Sequence, residues 1–272
     1  MQIGKIISPH DLRGATIDRS NSITRGLVGA WQPNVFPAGN TLYDRSGYGN
    51  DGAISGATRA ADGEMGHVLS FDGNDSVTVP NQPSINPTDA ITIAGWVYPT
   101  DLTTPSYGTL VYKNHQVQWA LVVDYSVSGA FGNLVRFMIN IGGTRRDFYS
   151  NSAGLSLNAW NHLAATFDGS TARIYQDAVV RSSSSSYSGA IGTSSSNLVI
   201  GGNILGSPYY IGLIGQVTIY NRALSAAEIA SLYADPYQIW DVGEDEMEWA
   251  KAAAAAGNPH YYYQMLSKRR AS

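Results

Sequence analysis

The chain has 272 residues, with 17 Lys and Arg against 21 Asp and Glu, a formal net charge of -4 and a pI near 5.7. That balance offers no global positive field for nucleic acid, and with no cysteine disulfides, thiol nucleophiles and thiolate metal sites are excluded together. Charged residues make up only 14% while glycine reaches 29 positions, which suits short strands joined by many turns, in a chain long enough to bury roughly three quarters of its unfolded surface.

Residues 1–24, opening "MQIGKIISPHDLRGATIDRS", lack the apolar run of roughly 7 to 15 residues that marks a secretory leader and are read as an N-terminal arm. No run approaches the roughly 18 apolar residues of a membrane span, so no membrane insertion is expected. From Leu27 to Tyr220 the pattern changes to short apolar or alternating runs. "GLVGAW" comes first, followed by "LYDRSGYGNDG", Leu42 to Gly52, which gathers three glycines, Asn50, Asp44 and Asp51. Two readings compete for that stretch: a tight turn that needs positive φ at glycine and asparagine, or a loop whose oxygens hold a hard cation such as calcium.

The next runs, "VLSFDG", "SVTVP", "ITIAGWVYP", "TLVYKN", "WALVVDY", "LVRFMINIGG", "RDFYSN", "NHLAATFDG", "TARIYQDAVV", "NLVIGGN" and "GLIGQVTIYN", are separated by turn chemistry such as "DGND", "GGTR" and "DGST". Regular short strands with no helical period between them predict an all-β antiparallel sandwich or jelly roll. Asp177-Ala178 stands where a hairpin would carry Asp-Gly; alanine is penalised at positive φ, so this turn is expected to be longer or of another type. Ser182 to Ser186 read as a solvent-facing strand or loop.

Helix chemistry appears only near the end. Ser225 followed by Glu228 is a capping box, apolar residues follow at Ile229, Leu232 and Tyr233, and Pro236 stops the run. A second helix is expected in "GEDEMEWAKAAAAAGNP", with acids at its start and Gly257 at its end. Residues 237–272 thus form a helical, aromatic and basic extension. Trp249, Tyr261, Tyr262 and Arg269 are its candidate assembly contacts, docking on the chain's own body or on another chain.

Taken in order, "GLVGAW", "LYDRSGYGNDG", "LSFDGNDSVTVP", "ITIAGWVYP", "LNAWNHLAATFDGSTARIYQDAVV" and "GLIGQVTIYNRALSAAEIASLYADP" resemble the laminin G-like branch of the concanavalin A-like lectin and glucanase superfamily. The resemblance covers residues 25–236. It implies a two-sheet antiparallel jelly roll with short C-terminal α-helices and ligand loops at one rim or a concave face. It also implies a calcium site begun by Asp44, Asn50 and Asp51 and completed by an acidic pair in the strand before "YNRALS". This chain has Gly215 and Gln216 there, and calcium prefers carboxylates among its six to eight oxygens. The loss leaves calcium as a candidate cofactor only, with the structural turn favoured.

The superfamily includes glycanases, which need two carboxyls close together across the sugar. Glu64 is the single glutamate between Leu27 and Tyr220. Asp124 and Asp147 could face each other, but strand-end aspartates are more often turn or cap residues, so an enzyme is not expected. The five histidines show no metal spacing; His162 reads as a strand residue with a satisfied ring. Binding chemistry remains. Tyr107, Trp119, Tyr125 and Tyr209 are the candidate sugar-stacking residues, with Tyr112 and Tyr210 nearby, and Trp31, Trp96 and Trp160 are assigned to the core. The expected function is a noncatalytic, lectin-like surface-display protein. Ranked first is a phage virion component of the capsid-decoration or fibre type, made in the host cytoplasm and displayed on the virion. Its partners would be its own copies or other capsid proteins through the chain ends, with glycans as candidate ligands. The alternative is a bacterial carbohydrate-binding module or lectin, extracellular or at the cell surface; a glycanase ranks last.

Overall fold

The computed structural model describes residues 15–33, 39–102, 107–124, 134–151, 154–202 and 210–241, with Tyr107 described by its backbone alone. The chain opens with β1 (Thr16–Ile17), β2 (Leu27–Trp31), β3 (Thr41–Leu42), β4 (Gly52–Ser55), β5 (Thr58–Asp62), β6 (Gly66–Asp72) and β7 (Ser76–Val79). It continues through β8 (Ile91–Pro99), β9 (Tyr107–Lys113), β10 (Trp119–Asp124), β11 (Leu134–Ile141), β12 (Thr144–Tyr149), β13 (Asn161–Phe167), β14 (Ala172–Gln176) and β15 (Val179–Ser184). The final elements are β16 (Leu198–Ile200), β17 (Ile211–Tyr220), α1 (Ala226–Ala234) and β18 (Trp240–Asp241).

Sixteen of these strands make two eight-stranded antiparallel sheets, and β1 and β18 form a separate pair. The front sheet runs β12-β11-β10-β9-β16-β7-β4-β3; the back sheet runs β15-β14-β13-β8-β17-β6-β5, with β2 also paired to β17. The all-β sandwich expected from the strand pattern is therefore the architecture. Side chains alternate across each pleat, so Trp119, Leu121 and Val123 of β10 enter the core between the sheets. Ala120 and Val122 turn to the opposite face, where they meet Met138 and the partly buried Tyr112. Fully burying an apolar side chain of this size contributes about 1.5–3 kcal/mol, and the main core holds residues from both sheets.

A second apolar layer lies on the outside of the back sheet. There Ala30, Ala94, Ala164 and Tyr175 pack with Ile229 and Leu232 of α1, with Ala15, Ile17 and Ile23, and with Ile239 and Trp240. Residues from the expected arm and the expected C-terminal extension thus cover the sandwich itself. β1 pairs with β18, the Asp18 amide donates to the Ile239 carbonyl at 2.9 Å, and the Asn21 side chain donates to Gln238 at 3.0 Å. The helix α1 carries both halves of its capping box. Arg222 donates through two nitrogens to the Glu228 carboxylate at 3.1 and 2.6 Å, which lowers the Glu228 pKa to about 2. The second expected helix lies outside the described residues.

The turn at Asp177-Ala178 differs from expectation. Gln176 pairs with Val179, so the loop has two residues, and Asp177 and Ala178 have φ of 51° and 64°. That is the geometry of a type I′ hairpin, with alanine in the place glycine normally takes. The register of β14 and β15 compels it: the Asp177 amide donates to the His162 carbonyl, and its carboxylate accepts from the His162 amide, each at 2.9 Å. Among the described residues, no helix is long and apolar enough to cross a membrane.

Candidate functional site

The loop between β3 and β4 is organised by one carboxylate. Asp44 Oδ1 accepts from the amides of Ala30 and Ser46 at 2.9 and 2.8 Å, and Oδ2 accepts from Ser46 Oγ and the Asn50 amide at 2.7 and 2.9 Å. Asp51 Oδ1 accepts from the Asp44 amide at 2.8 Å. Asn50 donates to the Val28 carbonyl at 2.8 Å and accepts from Ser84 Oγ at 2.9 Å. Oxygens that calcium would need are already satisfied by N–H and O–H donors. Gln216 sits buried in β17 at the register shift between Ile214 and Val217, with its side-chain nitrogen unpartnered. Among the described residues no group of three or more His, Asp or Glu could hold a metal. The donor set does not fit calcium; it fits a turn.

This turn raises Tyr48 into solvent. Gly47 and Gly49 on either side have φ of +93° and +70°, a region that glycine enters at little cost, and Tyr48 is 55% exposed. Tyr48 lines two polar clefts. One, about 240 Å³, is bounded by Val28, Pro83, Ser84, Asn86, Thr88, Asp89 and Asn221. The other, about 320 Å³, is bounded by Arg19, Ser20, Asn21, Ser22, Thr24 and Arg25. Arg19 is pinned by donation to the Ser46 carbonyl.

The expected stacking residues are placed differently. Trp119 is 0% exposed and belongs to the core between the sheets, so it is corrected from a surface residue to a packing residue. Tyr210 is equally buried, edge-on to Phe71. Tyr107 contributes its backbone to β9. Tyr125, Tyr209, Trp249, Tyr261, Tyr262 and Arg269 lie outside the described residues. Trp31 and Trp96 are core residues as assigned; Trp160 is only half-buried and donates to Asp62 Oδ1 at 3.2 Å.

On the outer face of the front sheet, Asp124 of β10 and Asp147 of β12 stand on either side of Arg136 of β11. Arg136 donates to them at 3.0 and 3.1 Å, and Arg145 donates to the other Asp147 oxygen at 3.0 Å. The Arg136 guanidinium also lies 5.0 Å from the Tyr149 ring centroid. Behind this face, the buried Lys113 ammonium donates to Asn81 Oδ1 at 2.6 Å and to the carbonyls of Ser194 and Ser196. Burial lowers its pKa to about 8. His162 of β13 is buried against Trp96 and Tyr233, with ring centroids 5.1 and 6.0 Å away. Burial drives its pKa down to about 3. The expected satisfied ring is not found, because Nδ1 has no hydrogen-bond partner among the described residues.

Residues 71–230 match the laminin G-type model of the concanavalin A-like lectin/glucanases superfamily. The chain belongs to that superfamily. Solved structures with the same sandwich include domain 4 of AbnA, a GH43 extracellular arabinanase from Geobacillus stearothermophilus, in complex with arabinotriose. It is 19% identical with a TM-score of 0.60, over 76% of this chain and 98% of that one. The binding domain of Paraclostridial Mosquitocidal Protein 1 is 18% identical with a TM-score of 0.61, over 78% of this chain and 52% of that one. The botulinum neurotoxin serotype G binding domain is 19% identical with a TM-score of 0.56, over 76% and 50%. This chain therefore spans about half of those toxin binding domains. No curated protein matches the sequence. At these identities the structural likeness concerns the fold.

Within this superfamily fold, the chemistry open to the described residues differs between the two places. Retaining glycoside hydrolysis needs carboxyls about 5–5.5 Å apart across an open sugar site. Here a guanidinium occupies the space between Asp124 and Asp147, and Asp124 is 1% exposed. The Tyr48 rim instead offers a ring face, hydroxyls, amides and two arginines to anything that enters. Residue-by-residue reading missed Tyr48, Arg19 and Arg25. The Gly-Tyr-Gly step was the available signal for Tyr48, since positive φ on both sides lifts a side chain off the body.

Proposed function

We propose that this protein is a noncatalytic carbohydrate-binding sandwich that holds a saccharide on the rim around Tyr48. The observation that carries the proposal is the exposed Tyr48, which lines two polar clefts, on a loop tied down through Asp44. Sugar rings present an apolar C–H face and a hydroxyl edge. An aromatic side chain beside convergent polar groups suits both, and a preorganised loop lowers the ordering cost of binding. The superfamily membership and the arabinotriose-bound neighbour support a saccharide ligand.

The noncatalytic part of the reading rests on the Asp124, Arg136 and Asp147 arrangement, in which both carboxylates are bonded to one guanidinium. Virion placement is not carried forward. None of the matches described above supports it, and the Trp249 to Arg269 contacts it invoked lie outside the described residues. Titration calorimetry of the full chain against neutral and acidic oligosaccharides tests the proposal, with Tyr48→Ala as control. Saccharide binding that the variant abolishes supports it; hydrolysis of any probe, lost in Asp147→Asn, would overturn it.

A further inference from the structure

The two clefts flanking Tyr48 differ in charge. The smaller is bounded by Pro83, Ser84, Asn86, Thr88 and the exposed Asp89. The larger is bounded by Arg19 and Arg25, both exposed, with Ser20, Asn21, Ser22 and Thr24, and among the described residues no carboxylate side chain lines it. We infer that the Arg19 and Arg25 cleft receives the anionic group of an acidic saccharide whose sugar ring lies against Tyr48. The inference rests on the carbohydrate reading above and deepens it.

Arg19 is held in place rather than loose. It donates to the Ser46 carbonyl, and its Nη2 lies so close to Gly47 that a Cβ there would sit 3.1 Å away. The guanidinium therefore rests on the same glycine step that lifts Tyr48. One pinned donor leaves the remaining N–H groups of its fork for another acceptor. Arg25 has no side-chain partner among the described residues, whereas the neighbouring Arg222 is committed to Glu228 and to the Arg25 carbonyl.

The nearest acid on this segment, Asp18, is turned to its own backbone. Its Oδ1 accepts from the Ser20 amide and hydroxyl at 2.8 and 2.6 Å and from the Asn21 amide at 3.3 Å. It therefore shapes the Ser20–Asn21 turn that walls the cleft. Two arginines line this one cleft in a chain of net charge -4. Planar guanidinium groups suit carboxylate and sulfate oxygens, and such charge-assisted bonds are roughly twice as strong as neutral ones.

The ligand chemistry is a sugar bearing a carboxylate or a sulfate, and the test separates the two. The full chain is titrated with trigalacturonate, with its neutral methyl ester and with a sulfated oligosaccharide of equal length, at low and high salt. Each titration is repeated with Arg25→Gln, Arg19→Gln and Tyr48→Ala, and thermal unfolding checks folding. Arg25 is exposed and has no side-chain partner among the described residues, so its variant is expected to fold as the parent does.

The expected result is at least tenfold tighter binding of an acidic probe than of the ester, a preference that Arg25→Gln removes and that salt weakens. Preference for the uronate identifies a carboxylate, and preference for the sulfated probe identifies a sulfate. Equal affinity for acid and ester, lost in Tyr48→Ala, overturns the inference while leaving the carbohydrate proposal intact. If neither these probes nor neutral arabino- and gluco-oligosaccharides bind, both fall.

Discussion

The outer face of the front sheet and the rim around Tyr48 both gather polar side chains, yet one is closed and the other open. On the sheet face, Asp124 and Arg136 are buried and bonded to each other, and Ala120, Val122 and Met138 are buried beside them. At the rim, Asp44 is equally withdrawn, but its partners are backbone amides and a hydroxyl, and their effect is to present Tyr48 to solvent. A buried carboxylate facing a guanidinium neutralises itself, whereas one facing amides builds a platform. Among the described residues the most exposed aromatic ring stands on a glycine-flanked loop, Tyr48 at 55% against 37% for Tyr149 of β12.

Breaking the closed region should cost the most stability. Arg136→Leu removes the guanidinium bonded to both Asp124 and Asp147 and is expected to lower unfolding free energy by about 3–5 kcal/mol in urea titration. Saccharide affinity at Tyr48 should be unchanged in the folded fraction. Asp44→Ala removes the acceptor from three amides and one hydroxyl; the expected loss is about 2–4 kcal/mol. Because Tyr48 rides on that loop, the same variant should also weaken binding. Stability loss without any change in affinity would separate the loop from the site.

The next effect is read by pH. The native His162 pKa is about 3 against the ordinary 6.5, so between these values the unfolded chain takes up a proton that the native state refuses. Stability is greatest above pH 6.5 and falls as the pH drops toward 3, by about 2 kcal/mol at pH 5. Glu228, held down to about 2 by Arg222, adds a further loss as the pH falls from 4.5 toward 2. His162→Phe should flatten the upper part of this profile, measured as Tm between pH 7 and 5. The smallest effect is a gain: Ala178→Gly relieves a residue at φ 64° and should raise stability by about 1 kcal/mol.

Much of the fold was legible because its signals are local. Turn dipeptides separate the strands, and Ser225 with Glu228 announces α1. Trp119 was misplaced for a physical reason. The run "WALVVD" has apolar residues on both faces, so alternation carries no information about which face is outside. The Asp177-Ala178 turn was misread because alanine's penalty is small beside the register imposed by β13, β14 and β15. Tyr48 carried a sequence signal in its flanking glycines. The cleft around it carried none, because residues 19–27, 48, 83–89 and 221 meet only through the sheet order. Asp44 was visible in the sequence as an oxygen donor; only the fold shows that its acceptors are already filled.

The most direct test of the central claim is the saccharide affinity of the parent chain beside Tyr48→Ala, measured by titration calorimetry with circular dichroism on both. The account predicts identical spectra and at least a tenfold loss of affinity in the variant. Undiminished affinity in a folded Tyr48→Ala protein would contradict it and move the binding surface elsewhere on the sandwich.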